Sequence, residues 1–223
     1  MSGGSVPILT PPVYRPQGPL RIGVTGSISC GKDLVADLMS EQGALVINAD
    51  GVYHGLLECD QTLRAKLRES FGETIVPAIG PVNRKALGRI VYSDSEAMTT
   101  LVSITHPRIR GEILRLMEEP GPEPRVLNAP LLVDMGLDQW MDTVVVVVVD
   151  SAIQVQRLMA RDSIDRNFAL AKISSQLSSS EKSANADFVL DNSGSIGDTR
   201  KKVVELWPRL IERAMNRRRQ WQN

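Results

Sequence analysis

The chain has 223 residues, 26 Lys+Arg against 26 Asp+Glu, with 42% hydrophobic and 23% charged residues. This supports one domain with insertions or two small domains, and excludes a disordered, collagen-like or coiled-coil chain. Zero net charge and 4% aromatic residues argue against a broadly basic nucleic-acid binder, but leave room for an anion at one focused site. Cys30 and Cys59 are too few for a disulfide framework or a four-ligand zinc site, and fit a reduced, cytoplasmic protein. Residues 1–20 lack the apolar core of a secretory leader. The longest apolar run, Val144–Val149, is far shorter than the ~20 residues that span a bilayer, so no membrane is expected.

Residues 1–18 read as a flexible tail, with the folded chain starting near Pro19. Leu20–Thr25 is a short apolar run ending at Gly26, the pattern of a buried strand. From Gly31 the period changes: Leu34, Val35, Leu38 and Met39 make one helical face, and Gly43 ends it. Ala44–Ile47 predicts a second strand, delivering Asn48, Ala49 and Asp50 at its carboxyl end. Between Gly51 and Glu119 the strand signal disappears and helix is expected, with Ile109, Ile113 and Leu116 on one face and His106-Pro107 opening a helix. Val126–Ala129 predicts a third strand, stopped by Pro130. Thr143–Val149 predicts a fourth, and its unalternating valines indicate burial on both faces, as in a parallel sheet. Ser151–Gln154 has the form of a capping box opening a helix through Asp162. Residues 163–186 read as helical and polar, broken at Ser178–Ser180. Asp187–Asp191 predicts a fifth strand. A closing helix is expected from about Asp198 to Arg217, interrupted at Pro208.

Gly26-Ser27-Ile28-Ser29-Cys30-Gly31-Lys32 fits G-x-x-x-x-G-K, between a strand and a helix. The glycines allow a tight turn in which successive N–H groups point at phosphate oxygens, and the following helix aims its positive end at the same anion. Lys32 supplies a point charge. The next position, where Ser or Thr would ligate Mg²⁺, is Asp33, followed by Leu34. A carboxylate is a good Mg²⁺ ligand, but beside a triphosphate it repels, by about 1 kcal/mol at ~4 Å in water and about 4 at an effective dielectric of 20. Asp50 stands where open α/β sheets bind ligands, as a proton acceptor for an attacking hydroxyl or as the cap of the helix that follows. Arg157 and Arg161 lie one turn apart and read either as stabilisers of transferring phosphate or as a solvated helix face. Cys30 reads as a small loop residue in preference to an activated thiol.

Several motifs in order are similar to those of the dephospho-coenzyme A kinase family over about residues 20–210. They are Ile22–Gly26 with Gly31-Lys32, Asn48-Ala49-Asp50, Phe71-Gly72, Gly80–Arg84 with Leu87, and Leu101–Ile109. Then come Pro130–Asp134, Gln156–Leu158 with Arg161-Asp162, Lys172–Gln176, Ala186-Asp187 and Asp191–Ser195. The departures are Ser27 and Ser29 for loop glycines, Cys30 for a small residue, Asp33-Leu34 for Ser-Thr, Asn48 for an Asp, and Asp134 for a Glu. Ser27 and Ser29 are awkward wherever the backbone needs positive φ.

The resemblance implies ATP-dependent phosphorylation of the ribose 3′-hydroxyl of dephospho-CoA, the last step of CoA biosynthesis. The alternatives are a weakly catalytic nucleotide- or CoA-binding homologue and a related kinase with another acceptor. It implies an α/β fold, a P-loop three-layer core of about five parallel strands with helices on both faces. The core would be 19–50, 124–162 and 187–217, with an acceptor-binding insertion at 51–120 and a lid at 163–186. Asp50 matches the base, Lys32 and Arg161 the phosphate-contacting cations. Gly26, Ser27, Ile28, Ser29, Cys30, Gly31, Asp33, Leu34, Arg157, Asn192 and Gly194 fall on the nucleotide side. Arg84, His106, Arg108, Pro130 and Leu131 fall on the acceptor side, and Asp33 is the expected Mg²⁺ ligand. ATP and Mg²⁺ are the expected cofactors. Neither nucleic acid nor membrane is expected as a partner, and a monomer or small homo-oligomer is.

Overall fold

The computed structural model describes residues 18–222 except 177 and 185. The expected tail therefore lies outside the described residues up to 17. Gly18 is not loose: its carbonyl accepts from Arg218 Nη1 at 2.5 Å.

The elements are β1 (Arg21–Gly26), α1 (Lys32–Glu41), β2 (Leu45–Asn48), α2 (Ala49–Cys59), α3 (Gln61–Phe71), α4 (Arg84–Ser93) and α5 (Ser95–Glu118). They continue with β3 (Arg125–Asn128), β4 (Thr143–Val148), α6 (Ser151–Asp162), α7 (Arg166–Ser174), α8 (Ser179–Ser183), β5 (Phe188–Asp191) and α9 (Ile196–Gln222). The strands form one parallel sheet in the order β2-β3-β1-β4-β5. The fold is α/β with a central β1, whose carboxyl end leads into the phosphate loop between β3 and β4. Parallel strands demand cover on both faces. β1 is buried throughout, and β4 is buried except at its last residue, as the valine run predicts. Ile22, Val24, Val145 and Val147 join Val35, Leu38 and Met39 of α1 and Val203, Leu206 and Leu210 of α9 in the main core. Burying each such side chain contributes about 1.5–3 kcal/mol.

The described residues divide into two compact units, one of residues up to Ile47 plus Met117 onward, the other Asn48–Leu116. The second is helical. Leu57, Leu63, Leu67, Val76, Leu87 and Val91 form its core. Arg64, 4% exposed, donates through Nη1 to Leu57 O (2.8 Å) and through Nη2 to Pro77 O (2.9 Å) and Gly80 O (2.8 Å). Arg68 donates through Nε to Val76 O at 2.8 Å. The two guanidinium groups satisfy the carbonyls of a turn that has no ladder of its own.

Two proline expectations are corrected. Pro107 lies inside α5, and α9 runs through Pro208 without interruption. A proline removes one helical hydrogen bond, which a long helix fixed by buried side chains tolerates: Ile109 and Ile113 follow Pro107, and Leu206 and Leu210 flank Pro208. At the base of the sheet, fully buried Asp142 accepts from Arg21 N (2.7 Å) and from Arg218 Nε and Nη2 (2.9 and 2.6 Å). Arg218 also donates to Pro19 O.

Candidate active site

The site is built on the turn from β1 into α1. A Cβ on Gly26 would lie 2.4 Å from Cys30 Sγ and 2.5 Å from Val147 O, so no side chain fits there. Gly31 has φ +87°, and a Cβ there would lie 2.1 Å from Asn192 Nδ2 and 3.8 Å from Arg157 Nη1. These two glycines are dictated by close approach and backbone conformation. Ser29 has φ 58°, so a serine occupies a left-handed position, and its buried Oγ has no hydrogen-bond partner among the described residues. Ser27 is not among the residues of positive φ.

The loop is held from a distance. Gln154 Nε2 donates to Ile28 O (2.7 Å), and Ile28 N donates to Gln176 Oε1 (2.9 Å). Asn192, 2% exposed, donates to Cys30 O (2.7 Å) and accepts from Thr199 Oγ1 (2.5 Å). Lys182 Nζ donates to Gly26 O (3.4 Å) and Pro130 O (2.8 Å), and Thr25 Oγ1 donates to Pro130 O (3.3 Å). Two loop amides expected to face phosphate are thus engaged within the protein: that of Ile28, and that of Cys30, which donates to Ser27 O at 3.2 Å. Burial pushes the Cys30 thiol up, against Lys32, which lowers it; the residue is a packing group of the core.

Helix α1 has Gly31 at its cap position and so no side-chain cap, whereas α2, α3, α4, α6, α7 and α8 are capped by Asn48, Asp60, Asn83, Asp150, Asp165 and Ser178. The bare amino end is the one that opens on the loop, where its N–H groups and dipole suit an anion. Lys32 Nζ donates to Asp33 Oδ1 at 2.7 Å, and Asn128 Nδ2 donates to the same oxygen at 2.7 Å. Burial raises the Asp33 pKa, but these two donors outweigh it and, with Arg161, hold the group below the usual carboxylate range. Its side chain is 67% exposed. An ionised, accessible carboxylate fits Mg²⁺, which takes one or two protein carboxylates and completes its shell with water and phosphate oxygens.

Of the other expected site residues, Arg161 lies on α6 and donates to Asp162 Oδ1 at 2.8 Å. Gly194 precedes α9, and a Cβ there would lie 3.1 Å from Asp198 Oδ2. Leu131 is 40% exposed. Asp50, Arg84, His106 and Arg108 belong to the helical unit. Asp50 is the second residue of α2 and exposed. It is not the cap: Asn48 accepts from Gly51 N at 3.1 Å. The expected Ser151 box is likewise replaced by Asp150, which accepts from Ala152 N and Ile153 N. Arg84 opens α4, and its charge lowers the Tyr53 hydroxyl pKa against the larger raising effect of burial. Arg108 donates through Nε to Asp60 Oδ2 at 2.7 Å.

The family model for dephospho-CoA kinase matches residues 20–198. The chain belongs to the dephospho-CoA kinase family. It is 40% identical to the dephospho-CoA kinase of Corynebacterium efficiens over 197 residues, 87% of this chain and 98% of that one. It is 40% identical to that of Symbiobacterium thermophilum over 189 residues, 83% and 79% of the two chains. Among solved structures, TT1252 from Thermus thermophilus superposes with a TM-score of 0.74 at 30% identity, covering 86% of this chain and 98% of that one. The dephospho-CoA kinase from Campylobacter jejuni gives 0.63 at 29% identity, covering 84% and 94%. The sequence reading did not foresee the site contacts of Asn128, Gln154 and Lys182, nor that of Gln176, which it named only as part of a family-like motif. Each is a polar residue whose partner lies far away in the chain, the Asp33 carboxylate of α1 for Asn128 and backbone of the loop or its flanks for the others, a signal that spacing does not carry.

Proposed function

We propose that this chain transfers the γ-phosphoryl group of ATP to the ribose 3′-hydroxyl of dephospho-CoA, giving CoA and ADP. What carries the reading is the phosphate cradle at 26–32, with its uncapped helix, in a chain that belongs to this kinase family. The N–H groups at Ser29 and Gly31 and the dipole of α1 bind the phosphates, and the Lys32 ammonium exchanges Asp33 for phosphate oxygens. Arg157 and Arg161 balance the charge that spreads over the transferred group. Asn192 acts by shaping the loop, and Gly194 lies on the adenine side. Asp33 would hold Mg²⁺, which when bound would supply neutralising charge beside the phosphates. Arg84, His106, Arg108, Pro130 and Leu131 hold the acceptor, and Asp50 takes the hydroxyl proton. Residues 163–186 act as a lid that excludes water. No helix among the described residues is long and apolar enough to cross a membrane; we place the protein in the cytoplasm, as a monomer or small homo-oligomer.

The test incubates the full chain with ATP and dephospho-CoA across a range of MgCl₂ and MnCl₂ and measures CoA and ADP by mass spectrometry. Equal amounts of both are expected. No CoA under any condition sinks the reading, and ADP formed with a different hydroxyl acceptor redirects it. Asp50→Asn is expected to lower turnover roughly 10²–10⁴-fold with the KM for ATP little changed. Unchanged turnover removes Asp50 from the base role.

A further inference from the structure

Lys182 has no part in the phosphate or acceptor chemistry assigned above. It lies on α8, five residues long, yet it is 1% exposed and among the largest fully buried side chains. Its ammonium donates to Pro130 O and Gly26 O, 52 and 156 residues away in the chain. These are the carbonyls at which β3 and β1 give way to the loops of the site. Burying an ammonium is unfavourable unless something specific is gained. Desolvation pulls the Lys182 pKa down, the attraction of Asp134 and Cys30 raises it, and the nearby charge of Lys32 lowers it further. A plain packing role would be served better by a hydrocarbon of the same length.

A second grip lies six residues earlier, where Gln176 accepts from Ile28 N. Gln176 and Lys182 therefore hold the phosphate loop region at Gly26 O, Ile28 N and Pro130 O. Helix α8 is too short to be stable alone, and a cleft of about 450 Å³ bordered by Leu131, Asp134, Gln176, Glu181 and Lys182 lies beside it.

We infer that Lys182 is a positioning residue: with Gln176 it fastens the α7–α8 segment to the first half of the phosphate loop, so that closure of the segment and ordering of the loop for nucleotide are one event. Only the nucleotide part of this rests on the proposed function.

The experiment is hydrogen–deuterium exchange on the full chain, with and without ATP and MgCl₂, for wild type, Lys182→Met and Gln176→Ala. In Lys182→Met, amides of residues 26–30 and 174–183 are expected to exchange about tenfold faster, with those of Val145–Val147 unchanged, and ATP to bind about tenfold more weakly. Gln176→Ala, at a partly exposed position, is expected to give the same pattern about threefold. Wild-type exchange at 26–30 in a folded Lys182→Met overturns the inference. So does acceleration that includes Val145–Val147 equally, which assigns Lys182 to general packing. Should Lys182→Met fail to fold, Gln176→Ala decides alone, and no acceleration at Ile28 overturns the inference. If the local pattern appears but ATP protects nothing in the wild type, the fastening stands and the ATP reading falls.

Discussion

Two irregular stretches, the phosphate loop at 26–31 and the turn at 72–83, are both held by side chains bonded to their backbone, but from opposite distances in sequence. The turn is held by Arg64 and Arg68, from the helix immediately before it. The loop is held by Gln154, Gln176, Lys182 and Asn192, more than 120 residues downstream. Guanidinium forks from a neighbouring helix are always charged and pre-organised, and they make a fixed piece of scaffold. Single long-range contacts, one from a buried ammonium on a short helix, suit a loop that must admit and release a ligand. Local support gives rigidity, and distant support makes the loop depend on the rest of the unit.

The comparison predicts different failures. Arg64→Met leaves the carbonyls of Leu57 and Gly80 without their donor and should destabilise the helical unit by about 3 kcal/mol, read by chemical denaturation, with ATP affinity barely altered. A large loss of ATP binding instead would break the contrast. Gly31→Ala should do the reverse. The Cβ meets Asn192 at φ +87°, and about 2 kcal/mol of strain should weaken ATP binding roughly 30-fold while the fold survives. Ser29→Gly should relieve the left-handed backbone and remove the unpartnered hydroxyl, raising thermal stability by about 1 kcal/mol. A lower melting temperature would mean that the hydroxyl has a partner.

The smallest effect is acid-dependent. Hydrogen bonds from Arg161 and from Lys172, which reaches across from α7, lower the Asp162 pKa to about 2. Its folded pKa lies below its ordinary value, so its contribution is complete above about pH 4 and lost as pH falls towards 2. The Asp162–Lys172 pair is partly exposed, and screening holds its contribution to about 0.5 kcal/mol. Asp162→Asn should flatten that part of the stability–pH curve, measured by urea midpoints between pH 2 and 5. An unaltered slope would remove this pair from the junction of α6 and α7.

Where the sequence was legible, the signal was local. The unbroken valines made a central strand readable, and Gly26 and Gly31 flanking a strand and a helix made the phosphate loop readable. Position Ser29 was legible only as a conditional: serine is awkward if φ is positive, and residue type does not fix φ. The two prolines misled because a local rule about helix breaking is overridden by burial of Ile113 and Leu210. The contacts of Lys182 and of Gln176, the latter named only within a family-like motif, were illegible for a deeper reason. In sequence they stand in a polar, serine-rich stretch, the usual mark of a solvated surface, and burial of one lysine there follows only from the sheet's geometry.

The supports of the phosphate loop also order events in time. The loop at 26–32 is synthesised before Gln154, Gln176, Lys182, Asn192 and Thr199, which emerge more than 120 residues later, and before Arg218, which ties α9 to the entry of β1. A nascent chain carries the full phosphate motif long before that motif has a shape. The loop thus gains its shape only once the stretch through Thr199 has emerged, and a product ended before that stretch has the loop's sequence without its supports.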